Sequence, residues 1–105
     1  MSYYDLYGFS GRDLNEAREL LESSLNIFFI ERDSSYHGVY YISGDKKHEH
    51  FILKENIDLL DNEPDEMDYP EHNYLLYIND TSRPSELKYI ILKSAKFILL
   101  RSERV

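Results

Sequence analysis

The hydrophobic pattern of the chain contains one stretch with helical spacing and several short apolar runs. In the helical stretch, apolar residues recur every three or four positions: Leu14, Ala17, Leu21 and Leu25. Acidic side chains lie between them, so residues 12–25 are predicted to form an amphipathic helix. Ser10 is the expected N-cap of this helix, and Asn26 is expected to end it.

Five short runs of β-branched and aromatic residues predict strands at residues 27–30, 39–42, 51–53, 74–78 and 97–100. Turn-forming residues at 33–38 predict that the first two runs form a hairpin. Because the runs are apolar at consecutive positions, both faces of the predicted sheet need cover. The helix covers one face, and a later helix, a long loop or another chain must cover the other.

Residues 84–94 allow two interpretations. Pro84 follows three polar residues, as at a helix start, and Leu87, Ile90 and Ile91 continue with helical spacing. Residues 87–92 are also compatible with a strand, but the helix is the preferred interpretation. We therefore predict one α+β domain over residues 1–105, with a mixed or antiparallel sheet of about five or six strands and one or two helices packed on it.

The negative charge of the chain is concentrated in one segment. Residues 55–80 contain nine of the 20 carboxylates and none of the 12 Lys and Arg residues, in a chain of net charge −8. These carboxylates are Glu55, Asp58, Asp61, Glu63, Asp65, Glu66, Asp68, Glu71 and Asp80. A surface of this sign repels nucleic acid and anionic membranes and attracts basic proteins. The segment therefore predicts a cationic protein partner.

Most of this acidic segment is predicted to be a loop. Pro64 and Pro70 restrict the residues before them to extended conformations, and a loop of this length in a small domain is usually functional or disordered. Apolar residues spaced through residues 56–73 favour an ordered loop that adheres to the body of the protein. The predicted partner-binding residues are Asp58, Asp61, Glu63, Asp65, Glu66, Asp68, Tyr69 and Glu71. The alternative is a solvated strip that only increases solubility.

Cysteine content and the length of the apolar runs indicate where the protein is located. The chain has no cysteine, which excludes disulfides and Cys-ligated zinc and favours a reducing compartment such as the cytoplasm. Its first residues lack the features of a signal peptide, and no apolar run reaches the roughly 20 residues that a spanning helix needs. We therefore expect neither secretion by a signal peptide nor a membrane-spanning segment.

No motif indicates catalysis or a cofactor. His48 and His50 could share one face of a strand, but no third ligand has a recognisable spacing. Residues 61–66 lack the glycine of a calcium-binding loop, and Pro64 interrupts the ligand run. There is no nucleophile elbow, phosphate-binding glycine loop or basic groove for nucleic acid. We predict no catalytic residue, no metal site and no cofactor; a small enzyme that uses carboxylates or the two histidines is the least favoured alternative.

Three segments carry a resemblance to a known class of protein: Tyr-Asp-Leu-Tyr-Gly-Phe at 4–9, Ala-Arg-Glu-Leu-Leu-Glu at 17–22 and Ser-Ser-Tyr-His-Gly-Val-Tyr-Tyr at 34–41. Their layout resembles that of small immunity proteins of bacterial contact-dependent growth inhibition and related polymorphic toxin systems. The resemblance implies a cytoplasmic, non-enzymatic inhibitor of a basic cognate toxin domain, with a nuclease, especially a ribonuclease, as the favoured toxin. It identifies no binding residues, because immunity families vary most where they contact the toxin. An acidic adaptor or regulatory module that binds a basic protein is the alternative.

Overall fold

The computed structural model describes residues 2–36 and 38–105. Within these residues the elements follow the order β1 (Tyr3–Phe9), α1 (Leu14–Leu25), β2 (Ile30–Ser34), β3 (Gly38–Gly44), β4 (His50–Glu55), β5 (Tyr74–Thr81), α2 (Pro84–Ile91) and β6 (Phe97–Arg104). The six strands form one sheet in the order β2-β3-β4-β5-β1-β6, and every neighbouring pair is antiparallel. The predicted α+β fold is confirmed.

Strand β1 was not among the predicted strands, although it lies inside the sheet between β5 and β6. Leu6, Tyr7 and Phe9 of this strand are almost completely buried. The buried Asp5 accepts a 2.5 Å hydrogen bond from Ser102 Oγ on β6. A polar residue and Gly8 interrupt the apolar pattern of this segment, which is why the pattern alone did not indicate a strand.

Helix α1 begins later than predicted because a different residue caps it. The N-cap is Asp13, whose Oδ1 accepts a 2.9 Å hydrogen bond from the backbone N–H of Glu16. Ser10 instead donates its backbone N–H to the carbonyl of Lys96, 2.8 Å away, which is the residue before β6. The prediction of Ser10 as N-cap is therefore wrong. The predicted end is confirmed, since Asn26 adopts the left-handed conformation with φ 56°.

Strand β2 begins at Ile30, three residues after the predicted start. Phe29 is buried in the core, and its backbone N–H donates a 2.9 Å hydrogen bond to Glu22 Oε2 on α1. This segment is therefore attached to the helix, and pairing with β3 starts at the Ile30–Ile42 position.

Both helices pack on the same face of the sheet, which we call the helix face. The helix prediction for residues 84–94 is confirmed over Pro84–Ile91. Leu87 and Ile91 of α2 join Ala17 and Leu21 of α1 in one apolar cluster. The strands contribute further buried side chains to that cluster: Tyr7, Phe9, Phe51, Leu53, Leu76, Ile78 and Phe97. None of the helices in the described residues is long and apolar enough to cross a lipid bilayer.

Residues 56–73, which we call the acidic loop, pack on the opposite face, which we call the open face. Leu75 of β5 alternates with helix-face residues and is nevertheless fully buried. At Gly8, an added Cβ atom would lie 2.5 Å from Nδ1 of His72 in the loop, so the loop approaches the sheet too closely there for any larger residue. A long loop thus covers part of the second face, which is one of the three covers that the sequence allowed.

Candidate partner-binding surface

Asn56 organises the acidic loop through its side-chain amide. Its Nδ2 donates hydrogen bonds of 2.9 Å to the carbonyls of Tyr69 and His72, and its Oδ1 accepts one of 2.9 Å from the backbone N–H of Glu66. The backbone N–H of Asn56 also donates to the carbonyl of Asn73, 2.8 Å away. One residue thus connects both ends and the middle of the loop, and this explains how a segment with two prolines keeps one shape.

A tight turn forms the first part of the loop. The Asp58 carboxylate accepts a 2.9 Å hydrogen bond from the N–H of Leu60, and the Asp61 carboxylate accepts one of 3.0 Å from the N–H of Glu63. The N–H of Leu59 donates to the carbonyl of Tyr36, 3.0 Å away, at the tip of the β2–β3 hairpin. Two of the predicted partner-binding carboxylates therefore also stabilise the turn that displays them.

Asp65 and Glu66 point toward the sheet. Asp65 forms an ion pair with Lys54, whose side chain is only 5% exposed. Glu66 Oε1 lies 3.0 Å from Arg101 Nη1, and Glu66 Oε2 accepts a 2.6 Å hydrogen bond from the hydroxyl of Tyr77. These two carboxylates bind the loop to three different strands, and their predicted role in partner binding stays a prediction.

The pKa values of this region reflect the same contacts. Burial alone would raise the pKa of Glu66, but hydrogen bonds from Tyr77 and Arg101 outweigh it and lower the pKa below its usual range. Burial, together with the Glu66 carboxylate, raises the pKa of Tyr77. Burial lowers the pKa of Lys54, against the opposing attraction of Asp58 and Glu66.

Tyr69 anchors the loop to the outer strand. Its hydroxyl donates a 2.9 Å hydrogen bond to the carbonyl of Leu100 on β6, and its ring is partly buried. Since this hydroxyl already has a partner, Tyr69 has a structural role in the free protein. Its predicted contact with a partner protein stays a prediction.

The remaining predicted carboxylates of the loop face solvent. Exposed positions are occupied by Asp61, Glu63, Asp68 and Glu71. Within residues 2–36 and 38–105, none of these four forms an ion pair with a lysine or arginine; only His72, with Nε2 3.6 Å from Glu71 Oε1, lies near one of them. The loop also exposes Leu59, Leu60 and Met67, at 48%, 70% and 65%. The result is a surface of one charge sign that contains three apolar side chains.

The two candidate histidine ligands are not arranged as a metal site. His48 lies in the turn before β4, and His50 is buried with Nδ1 2.9 Å from the carbonyl of His48 and Nε2 3.3 Å from Nδ2 of Asn79. In the part of the chain that the structure describes, no group of three His, Cys, Asp or Glu residues could hold a metal ion.

Sequence reasoning missed a cavity on the open face beside the acidic loop. It measures about 480 Å³ and is lined by Tyr40, Ile42, Lys46, Ile52, Lys54, Asp65, Tyr77 and Asn79. One signal was available and was not used: Lys54 follows three apolar residues of β4 and shares a face with Ile52, which places a lysine beside an apolar surface.

Neither a protein-family model nor a curated protein matches this chain. The resemblance to immunity proteins therefore stays a prediction, and the functional argument depends on the surface itself.

Proposed function

We propose that this protein is a cytoplasmic, stoichiometric inhibitor that binds a basic cognate toxin domain through its acidic loop. The favoured toxin is a nuclease, in particular a ribonuclease, because the nucleic-acid cleft of such an enzyme is basic. No catalytic step on the inhibitor is required. The observation that carries the proposal is the set of exposed loop carboxylates without lysine or arginine partners in the described residues.

The loop supports this function because it is already ordered in the free protein. Asn56, Glu66 and Tyr69 connect it to itself and to the sheet. A partner would then bind carboxylates that are held in place, which reduces the conformational entropy lost on binding. A strip that only increased solubility would not need this number of contacts.

The proposed mechanism separates two kinds of residue. Outward carboxylates such as Asp61 and Glu63 occupy positions where the toxin would otherwise hold phosphate groups. Their charge accelerates encounter, while the exposed Leu60 and Met67 supply apolar area that slows dissociation. Asp65 and Glu66 hold the loop in register with the sheet.

An acidic adaptor that binds a basic protein without blocking an enzyme would use the same surface. The deciding experiment is co-expression with the C-terminal domain of a large exported protein encoded beside this gene. We expect a one-to-one complex in which cleavage of transfer RNA is abolished. A complex that leaves the nuclease fully active would favour the adaptor, and the absence of any complex would contradict the toxin-inhibitor proposal.

A further inference from the structure

The cavity of the open face lies between the acidic loop and the β3–β4 turn. Strands β3, β4 and β5 form its floor through Ile42, Ile52 and the rings of Tyr40 and Tyr77. The strand register places these side chains on one face of the sheet, since Ile42 is opposite Ile52 and Ile52 is opposite Tyr77. Asp65 of the acidic loop lines one end of the cavity, and both helices pack on the other face of the sheet.

Charge is distributed unequally between the two ends of the cavity. At the loop end, the buried Lys54 is neutralised by Asp65. At the turn end, Lys46 is exposed, and within the described residues it has no carboxylate partner. Arg32 on β2 lies opposite Tyr40 in the register and so belongs to the same face. The apolar floor is therefore bordered by a positive charge that no carboxylate of the described residues neutralises.

The turn end also contains a polar side chain that can donate a further hydrogen bond. Asn79 lines the cavity, and its Nδ2 makes one contact of 3.3 Å, with Nε2 of His50. A side-chain amide has two N–H donors and a carbonyl acceptor, so a second donor is available for a ligand. Lys46 and Asn79 together offer donors for an anionic group.

We propose that this cavity binds a small amphipathic anion, an aromatic or aliphatic body that bears one carboxylate or sulfonate. The anionic group binds Lys46 and Asn79, and the apolar body lies on Ile42 and Ile52 between the two tyrosine rings. The volume of about 480 Å³ is within the range of small-molecule sites, roughly 300–1,000 Å³. This site is independent of the proposed toxin inhibition, which uses the outward side of the loop.

The test uses two fluorescent probes that differ only by the anionic sulfonate group: 8-anilinonaphthalene-1-sulfonate and its neutral analogue N-phenyl-1-naphthylamine. We expect the anionic probe to bind the folded protein saturably with one-to-one stoichiometry. The variant Lys46→Gln should weaken binding of the anionic probe by about fivefold to tenfold and change that of the neutral probe by less than about twofold. The control is Lys47→Gln, since Lys47 is a neighbouring exposed lysine that does not line the cavity.

The position of the bound probe is tested in the wild-type protein by methyl NMR. We expect the anionic probe to shift the signals of Ile42 and Ile52 and to leave those of Ile90 and Ile91 on α2 unchanged. Equal weakening by the two lysine variants would assign the binding to general surface charge and overturn the proposal. Unshifted isoleucine signals, or no saturable binding at millimolar probe, would overturn it as well. Unchanged melting temperatures of the lysine variants show that the comparison is made between folded proteins.

Discussion

The two faces of the sheet are stabilised by different interactions. On the helix face, residues such as Leu76, Leu87 and Phe9 form one apolar cluster, and the buried carboxylate of Asp5 is hydrogen-bonded to Ser102 rather than to a charged partner. On the open face, the acidic loop is attached by the Lys54–Asp65 ion pair and by the hydrogen bonds of Glu66 with Arg101 and Tyr77. One face thus depends on apolar burial and the other largely on ionic contacts.

This difference predicts different responses to solution conditions. Apolar burial does not depend on protonation, whereas ionic contacts weaken when a carboxylate is protonated and, where exposed, when salt is added. The acidic loop is therefore expected to detach from the sheet under conditions that leave the helix face folded. The loop that carries the proposed partner-binding surface would then be less stable than the helix face.

The largest expected effect comes from the helix face. Leu76→Ala removes a fully buried side chain from the core, so it should lower the free energy of unfolding by about 2–5 kcal/mol. Urea denaturation followed by circular dichroism measures this change. Ile98→Ala, at a site 53% exposed on the open face, is the control and should cost well under that amount. Equal losses for the two variants would remove the distinction between the faces.

The next effect concerns the buried ion pair. Asp65→Asn leaves the Lys54 ammonium group buried without its counter-charge, which should cost about 2 kcal/mol, less than for a fully buried pair because Asp65 is partly exposed. The double variant Lys54→Met, Asp65→Leu removes both charges and should recover most of that loss. Hydrogen exchange should show faster exchange of loop amides in Asp65→Asn while the strand amides of β4 stay protected. If loop and strands lost protection together, the loop would not be a separate unit of stability.

A smaller effect on stability is expected at low pH. The folded-state pKa of Glu66 lies below the unfolded value of 4.5, so its contribution to stability is complete above that pH and is lost as pH falls through the lower folded-state pKa. Glu66→Gln should therefore reduce the difference in melting temperature between pH 6 and pH 3. Glu63→Gln is the control, because Glu63 is an exposed loop carboxylate whose side chain forms no ion pair in the described residues. An unchanged pH dependence in Glu66→Gln would mean that Arg101 and Tyr77 do not stabilise the ionised form.

The smallest effect on folding is expected from the outward carboxylates. Replacing Asp61, Glu63, Asp68 and Glu71 together by the corresponding amides should change the free energy of unfolding by less than about 1 kcal/mol. Exposed charges contribute little to folding, and an amide oxygen at position 61 can still accept the hydrogen bond from the backbone N–H of residue 63. The same variant should slow association with the basic partner by at least several-fold, and the wild-type on-rate should fall as salt is raised.

The matched control for this variant removes the same amount of charge elsewhere, at Glu19, Glu31, Asp33 and Glu86, which are all exposed. Stopped-flow association distinguishes the two sets. Equal slowing would show that only net charge matters, and stronger slowing by the control set would locate the partner on another surface.

Several features of the fold could be predicted because their causes are local. The period of Leu14, Ala17 and Leu21 indicated α1, and Pro84 indicated the start of α2. The two prolines and the charge of residues 56–73 indicated a loop. In each case the interactions that decide the conformation occur within a few residues of each other in sequence.

Other features depend on distant residues. Strand β1 was missed because Asp5 becomes acceptable in the core only through Ser102, and Gly8 is required only because His72 lies against it. The N-cap changed from Ser10 to Asp13 because Ser10 is hydrogen-bonded to Lys96, the residue before β6. None of these partners can be inferred from the residues that surround each position.

The sequence by itself determined that the carboxylates would be concentrated in one loop, because charge and proline content are local properties of the chain. Only the tertiary structure decided which of them face solvent. Asp65 and Glu66 turn inward because β4 and β6 place Lys54 and Arg101 beneath the loop, and the antiparallel register that aligns those strands is decided by packing across the whole sheet.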